Sequence, residues 1–168
     1  MLQEFRILFD RFGCQEMPVE KFAKHSSIGN QYINRQKLEN KMKTIRGSEI
    51  EFAPASHEDP NKAGVVRRVL AAKNDFQSGQ VMMLNWSQLP VGSSFRSHFH
   101  ENMQEAFVII QGNVTMTVDD KAVDLGKGDA VLVEPREIHS MTNKGDQPAE
   151  FVVFGIASGE GGRTIVVD

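Results

Sequence analysis

The chain has 168 residues, enough for one domain with a sizeable core, and its 40% hydrophobic and 24% charged content is ordinary for a soluble globular protein. A net charge of −3 gives no electrostatic footprint for nucleic acid or an anionic membrane, and apolar runs such as Phe107 to Ile110 are far too short to span a bilayer. The single cysteine, Cys14, rules out an intrachain disulfide and a cysteine-based metal cluster.

The start of the chain, MLQEFRILFDRFG, scatters charges among apolar residues and shows no small-residue cleavage site, so it is not read as a secretory signal, and a cytoplasmic location is expected. Its apolar positions Leu2, Phe5, Leu8, Phe9 and Phe12 describe one face of a short helix ended by Gly13. Cys14 is expected to be a small packed residue. Residues 17–41 are polar, and His25 among them is expected to be solvated. Residues 1–41 carry a net +2 and 42–168 a net −5, and twelve of the fourteen glycines lie beyond residue 42. The chain is therefore divided into an N-terminal extension, 1–41, and an all-β domain, 42–168. The Phe-rich helical face needs a cover, either the β domain or a second subunit; alternatively Met42 is the natural start and the extension matters little.

From Lys43 onward the pattern is strands. Runs at Gly64–Leu70, Gln80–Trp86, Ala106–Ile110, Val114–Val118, Lys121–Val123, Ala130–Val133, Phe151–Phe154 and Thr164–Val167 are apolar or β-branched and punctuated by turn-formers. Asp119-Asp120 reads as a hairpin turn. With the stretch near His139 this makes nine or ten short strands, the signature of a sandwich or barrel, and no convincing helical period follows residue 42. Trp86 is expected to pack in the sheet, and His57, in a polar stretch, to be solvated.

Two positions apart on a strand, His98 and His100 point to one face. Glu105 opens the next strand, and His139 follows an apolar run and Pro135. Brought together, three imidazoles and a carboxylate suit a first-row divalent ion with two coordination positions open. His-x-His alone is weak evidence, since most such pairs are two solvated rings. The framework around it is more specific. Gly92-Ser-Ser-Phe-Arg-Ser-His98-Phe-His100-Glu-Asn-Met-Gln-Glu105-Ala-Phe-Val-Ile-Ile-Gln-Gly112 resembles the first cupin motif at each defining position, and Gly128, His139 and Asn143 match the second. The gap between the motifs, Asn113 to Lys127, is fifteen residues, and the resemblance covers about residues 60–157.

The resemblance implies a cupin-type double-stranded β-helix, or jelly-roll barrel, with His98, His100, Glu105 and His139 on one divalent ion: Fe, Mn, Ni or Zn, with Fe favoured. It also implies a homodimer, as small cupins commonly pair or exchange edge strands. One departure stands out: the family usually has Pro-x-Gly before the second-motif histidine, and here Glu134-Pro135-Arg136-Glu137-Ile138 has no glycine. The turn is expected to avoid positive φ and to leave Arg136 and Glu137 facing water.

Alternation puts Phe107 and Ile109 on the face of Glu105, and Met141 on that of His139, so these three, with Val131 or Val133, are expected to wall the pocket. Arg96 would share the face of His98 and offer a fork to a substrate carboxylate or phosphate, against the preferred alternative that the strand begins later and Arg96 is solvated. Apolar walls fit an aromatic or hydrophobic substrate better than a sugar. The leading expectation is a dioxygenase-type oxidoreductase acting on a small organic molecule, with Glu105 doubling as a base. A non-redox isomerase or cyclase and a non-enzymatic binding module are the alternatives. A sensing module would want a basic DNA-binding helix pair, for which residues 1–41 are too short, so no nucleic acid or membrane partner is expected.

Overall fold

A computed structural model describes residues 42–157, 159 and 163–167. The helix expected over the first dozen residues, Cys14 and His25 lie outside the described residues. From Met42 the chain forms one unit built on eleven strands. In chain order these are β1 (Ala53–Pro54), β2 (Val66–Ala72), β3 (Val81–Leu89), β4 (His98–His100), β5 (Met103–Gln111), β6 (Val114–Val118), β7 (Lys121–Leu125), β8 (Ala130–Val133), β9 (His139–Thr142), β10 (Ala149–Ala157) and β11 (Thr164–Val166). The only helical turns among the described residues are the 3-10 segments Gly47–Glu49 and Lys73–Asp75. None is long and apolar enough to cross a membrane.

Two antiparallel sheets face each other, one ordered β1-β2-β3-β10-β5-β8 and the other β11-β4-β9-β6-β7. Side-chain alternation decides what lies between them. In β10, Ala149, Phe151, Val153, Gly155 and Ala157 face inward and the residues between face out. Register carries this parity across the sheet, giving inward rows Ser87–Phe151–Ile109, Asn85–Val153–Phe107 and Met83–Gly155–Glu105. Phe151, Leu89, Ile109, Met116 and Met141 are each at most 1% exposed. At roughly 1.5–3 kcal/mol per buried large apolar side chain, this layer is the main force joining the sheets.

Gly112, which ends β5, has φ +81°, and a Cβ there would stand 2.9 Å from Ala149 Cα. The left-handed turn and the close approach of β10 both require glycine. The turn before β9 corrects the sequence reading. Pro135 and Arg136 are the central residues of a turn closed by Glu137 N–H donating to Glu134 O at 3.2 Å, and Arg136 has φ +73°. Positive φ is adopted by an arginine where glycine is usual, at a cost of roughly 1–2 kcal/mol. The Arg136 N–H donates to His100 O at 2.7 Å, which ties the turn to β4 and offsets that cost.

Candidate metal centre and its cavity

Two strands of one sheet and one strand of the other converge on a single point. His98 and His100 project from the same face of β4, and His139 of β9 is the register partner of His98. Glu105 comes from β5, across the barrel. The four are 2%, 5%, 1% and 4% exposed, and one ligand atom from each lies within 4.8 Å of all the others.

The outer ring nitrogens are all occupied. His98 Nδ1 lies 2.8 Å from Arg96 O, His139 Nδ1 3.0 Å from Glu137 O, and His100 Nδ1 3.2 Å from Thr164 Oγ1. A carbonyl only accepts, so in His98 and His139 the hydrogen sits on Nδ1 and the Nε2 lone pair of a neutral ring points inward. There, His139 Nε2 is 3.2 Å and His100 Nε2 3.1 Å from Glu105 Oε2. The His100 nitrogen lies off the line a hydrogen bond needs and has no hydrogen-bond partner. With its hydrogen on Nδ1, a neutral His139 turns a lone pair on the Glu105 oxygen, and a proton or a cation between the two removes their repulsion. The donor set fits a divalent ion: three imidazoles, one carboxylate, each imidazole oriented from behind.

Burial pushes His98 down to about 4, with the charge of His139 adding to the effect. At Glu105 burial works to raise the carboxyl, but the contacts from His100 and His139 outweigh it and hold it well below the usual range. At neutral pH the centre therefore offers a neutral His98 and an ionised Glu105.

The centre opens into a cavity of about 500 Å³, a figure that includes the open solvent at its mouth. Phe95, Phe107, Phe151, Val153, Met83 and Met103 supply its apolar lining. Of the expected wall residues, Phe107 lines it. Ile109 and Met141, 1% and 0% exposed, face inward as expected but are packed in the core away from the cavity, as is Val133, with Val131 packed against that core. Arg96 is exposed and outside β4, on a shallow surface groove with Glu58, Asp59 and Lys62. Strand alternation starts only at His98, and the neighbouring Phe95 is the residue that turns inward, its ring centroid 5.5 Å from that of His98.

His57 also corrects the sequence reading. Instead of being solvated, its ring stacks on His98 with centroids 3.8 Å apart and an interplanar angle of 17°. Glu58, 8% exposed, holds the loop there: Oε2 accepts from Gly64 N at 2.7 Å and Oε1 from Arg96 N at 3.0 Å. Gly64 permits this approach, since a Cβ at that position would stand 1.8 Å from Ser94 O. Further polar residues line the cavity, among them Arg67 on β2 and Asn85 and Ser87 on β3.

These buried imidazoles make a test of the metal-free protein. Burial, then the charge of His98, lowers His57 to about 3, and His98 itself falls to about 4, from an ordinary 6.5. The unfolded chain thus takes up protons on these rings near pH 6.5, and the folded chain only near 4 and 3. Stability is fully present above about 6.5 and is lost as pH falls from there through 4. Urea midpoints of chelator-treated protein should be level from pH 8 to 7 and drop steadily from 6.5 to 4. A level midpoint down to pH 5 would contradict neutral, buried rings.

Comparison with known proteins agrees with this architecture. The cupin domain pattern matches residues 85–155. An uncharacterized protein of Methanocaldococcus jannaschii is 30% identical over 91 residues, covering 54% of this chain and 72% of that one. The quercetin 2,3-dioxygenase of Bacillus subtilis is 31% identical over 75 residues, 45% of this chain but 22% of that protein. Among solved structures, a protein of Thermotoga maritima described as a predicted oxalate decarboxylase superimposes with a TM-score of 0.62 at 28% identity, covering 69% of this chain and all of that one.

Proposed function

The chain belongs to the cupin superfamily, and from that premise we propose that it is a metal-dependent oxidoreductase of dioxygenase type, acting on a small organic molecule in the cavity. The observation that carries the reading is the orientation of the imidazoles. Nδ1 of each ring is engaged from outside; in His98 and His139 a carbonyl holds the hydrogen on Nδ1, and Nε2 of His100 and His139 stands 3.1 and 3.2 Å from Glu105 Oε2. In this reading His98, His100, Glu105 and His139 hold one divalent ion, Fe, Mn, Ni or Zn. Iron is favoured because the cavity is walled by Phe95, Phe107 and Phe151, which suit an aromatic or otherwise apolar substrate, and because the chain resembles a quercetin dioxygenase over 75 residues.

When bound, such an ion supplies Lewis acidity, and Fe(II) adds one-electron chemistry toward dioxygen. The chain supplies the rest. Its aromatic walls exclude water and align the substrate. Glu105, held ionised, is the one carboxylate on the cavity wall, so its oxygen not engaged by the ion is the acceptor for a proton leaving the substrate.

Elemental analysis of untagged protein purified without chelators, followed by oxygen uptake with catechols, flavonols and diketones, tests this. Iron near one per chain with substrate-dependent oxygen consumption is the expected result. Zinc or nickel without oxygen use transfers the proposal to a non-redox isomerase or cyclase, and no metal at all removes the four-ligand assignment.

A further inference from the structure

The cavity contains a cation that the metal reading does not use. Arg67 sits opposite Ser87 in the β2–β3 pairing, so its side chain enters on the inward row that runs through Phe151. Its neighbour Arg68 faces the other way, its guanidinium 4.1 Å from the centre of the Phe52 ring. The Arg67 guanidinium then reaches along the sheet, with Nη1 4.0 Å from Met83 Sδ. Met83 lies on the same row as Glu105, through Gly155. The charge therefore projects from the far end of the wall toward the four-residue centre.

A partly buried guanidinium is costly unless an anion or acceptors satisfy its five N–H groups. Among the described residues no carboxylate lies within 4.0 Å of it; a thioether is its one polar contact. The carboxylate whose field it feels is Glu105. If Glu105 binds an ion, that negative charge is spent, and the Arg67 charge is left facing the cavity. Next to it, Asn85 is 2% exposed, with one end of its amide against Met83 Sδ at 2.9 Å and Oδ1 without a partner. An amide with Oδ1 unpaired and a guanidinium with no carboxylate within 4.0 Å among the described residues, side by side on a cavity wall, form a polar point suited to a ligand.

We propose that Arg67, with the Asn85 amide, receives a carboxylate carried by the substrate, so that the cavity takes a small organic acid with its apolar body against Phe107, Phe151 and Val153 and its far end toward His98, His100, Glu105 and His139. The orientation of the far end rests on the metal reading; the anion subsite does not. A planar guanidinium binds a carboxylate with two parallel hydrogen bonds, and the Asn85 side chain, turned about its soft terminal torsion, adds a third donor. One arginine and a neutral amide match a single negative charge better than the two of a phosphate.

The probes are benzoate, its neutral isostere benzamide, and phenyl phosphate, titrated calorimetrically into the full-length chain as purified and again after chelation. In both states Arg67→Met should weaken benzoate at least tenfold and change benzamide less than twofold, while Arg67→Lys recovers part of the benzoate affinity. Equal losses for benzoate and benzamide, or none for either, overturn the subsite, and phenyl phosphate binding tighter than benzoate overturns the carboxylate assignment. Metal content measured on the same samples separates the two proposals. A chain that holds no ion yet loses benzoate on Arg67→Met keeps the subsite and discards the metal centre, and one that holds the ion with no Arg67 effect does the reverse.

Discussion

Replacing His139 with alanine is expected to lower bound metal from about one ion per chain to a trace while the barrel stays folded. His139 is the hinge of the centre. It is 1% exposed, pairs in register with His98, packs its ring 4.3 Å from the ring of His98, and brings Nε2 to 3.2 Å from Glu105 Oε2. Losing even an outer partner of a metal ligand typically costs ten- to a hundredfold in affinity. Losing one of four ligands outright should cost at least about a hundredfold, and the alanine cavity leaves nothing in its place. The readout need not be activity. An ion that binds only the folded state raises stability by about 2.7 kcal/mol at a hundred times its Kd. The unaltered protein should therefore melt higher with added metal, and His139→Ala should not respond. His57→Ala is the matched control, because His57 stacks on His98 without joining the ligand set; it should keep its ion. Full occupancy in His139→Ala, or loss of metal in the control alone, would mean the ion is held elsewhere.

The contrast between His139 and His57 also shows what a sequence can and cannot reveal here. Alternation on a short strand puts His98 and His100 on one face, and the spacing of the two motifs supplies Glu105 and His139; the β4–β9 register then brings them together. His57 has no period to read. A loop clamped by a buried Glu58 carries it in, and only tertiary contacts disclose that. Arg67 fails for another reason. The alternating sets Val65, Arg67, Val69 and Val66, Arg68, Leu70 each contain two apolar residues and one arginine. Hydrophobic pattern cannot choose between such faces, and the pairing with β3 decides. At Arg96 alternation extended back from His98 would run past the start of the strand, and the preferred reading of an exposed side chain agrees with the structure. At Arg136 the absence of glycine suggests a turn without positive φ, but the hydrogen bond to His100 O outweighs that local preference. At His57 and Arg136 the local reading is overruled by a long-range contact.

Asn143→Ala should have the opposite profile to His139→Ala: a loss of about 3 kcal/mol in stability with metal content intact. Asn143 is 0% exposed and is not one of the four ligand residues. Its Nδ2 donates to Leu89 O and to Gln147 O, both at 2.9 Å, and its Oδ1 accepts from Gly145 N at 2.9 Å. One side chain thus satisfies three main-chain groups at the end of β3 and in the turn between β9 and β10. Its own backbone meanwhile bonds Ser93 O and Gly92 N–H. Alanine leaves those backbone bonds in place and strips all three side-chain bonds. An unsatisfied buried polar group costs roughly 1–3 kcal/mol, and Leu89, 0% exposed, shows how little water can reach its carbonyl. With Gln147 O and Gly145 N nearer the surface and partly rehydrated, about 3 kcal/mol is the expected net loss, or roughly 10 °C in Tm for a domain of this size. Equilibrium denaturation should show a lower midpoint at unchanged slope. A change below 1 kcal/mol would mean water replaces the amide, and a parallel loss of metal at low temperature would mean the turn positions His139 more directly than the hydrogen bonds indicate. The second motif would then contain two separable functions: a histidine that holds the ion and an asparagine, four residues on, that holds the chain.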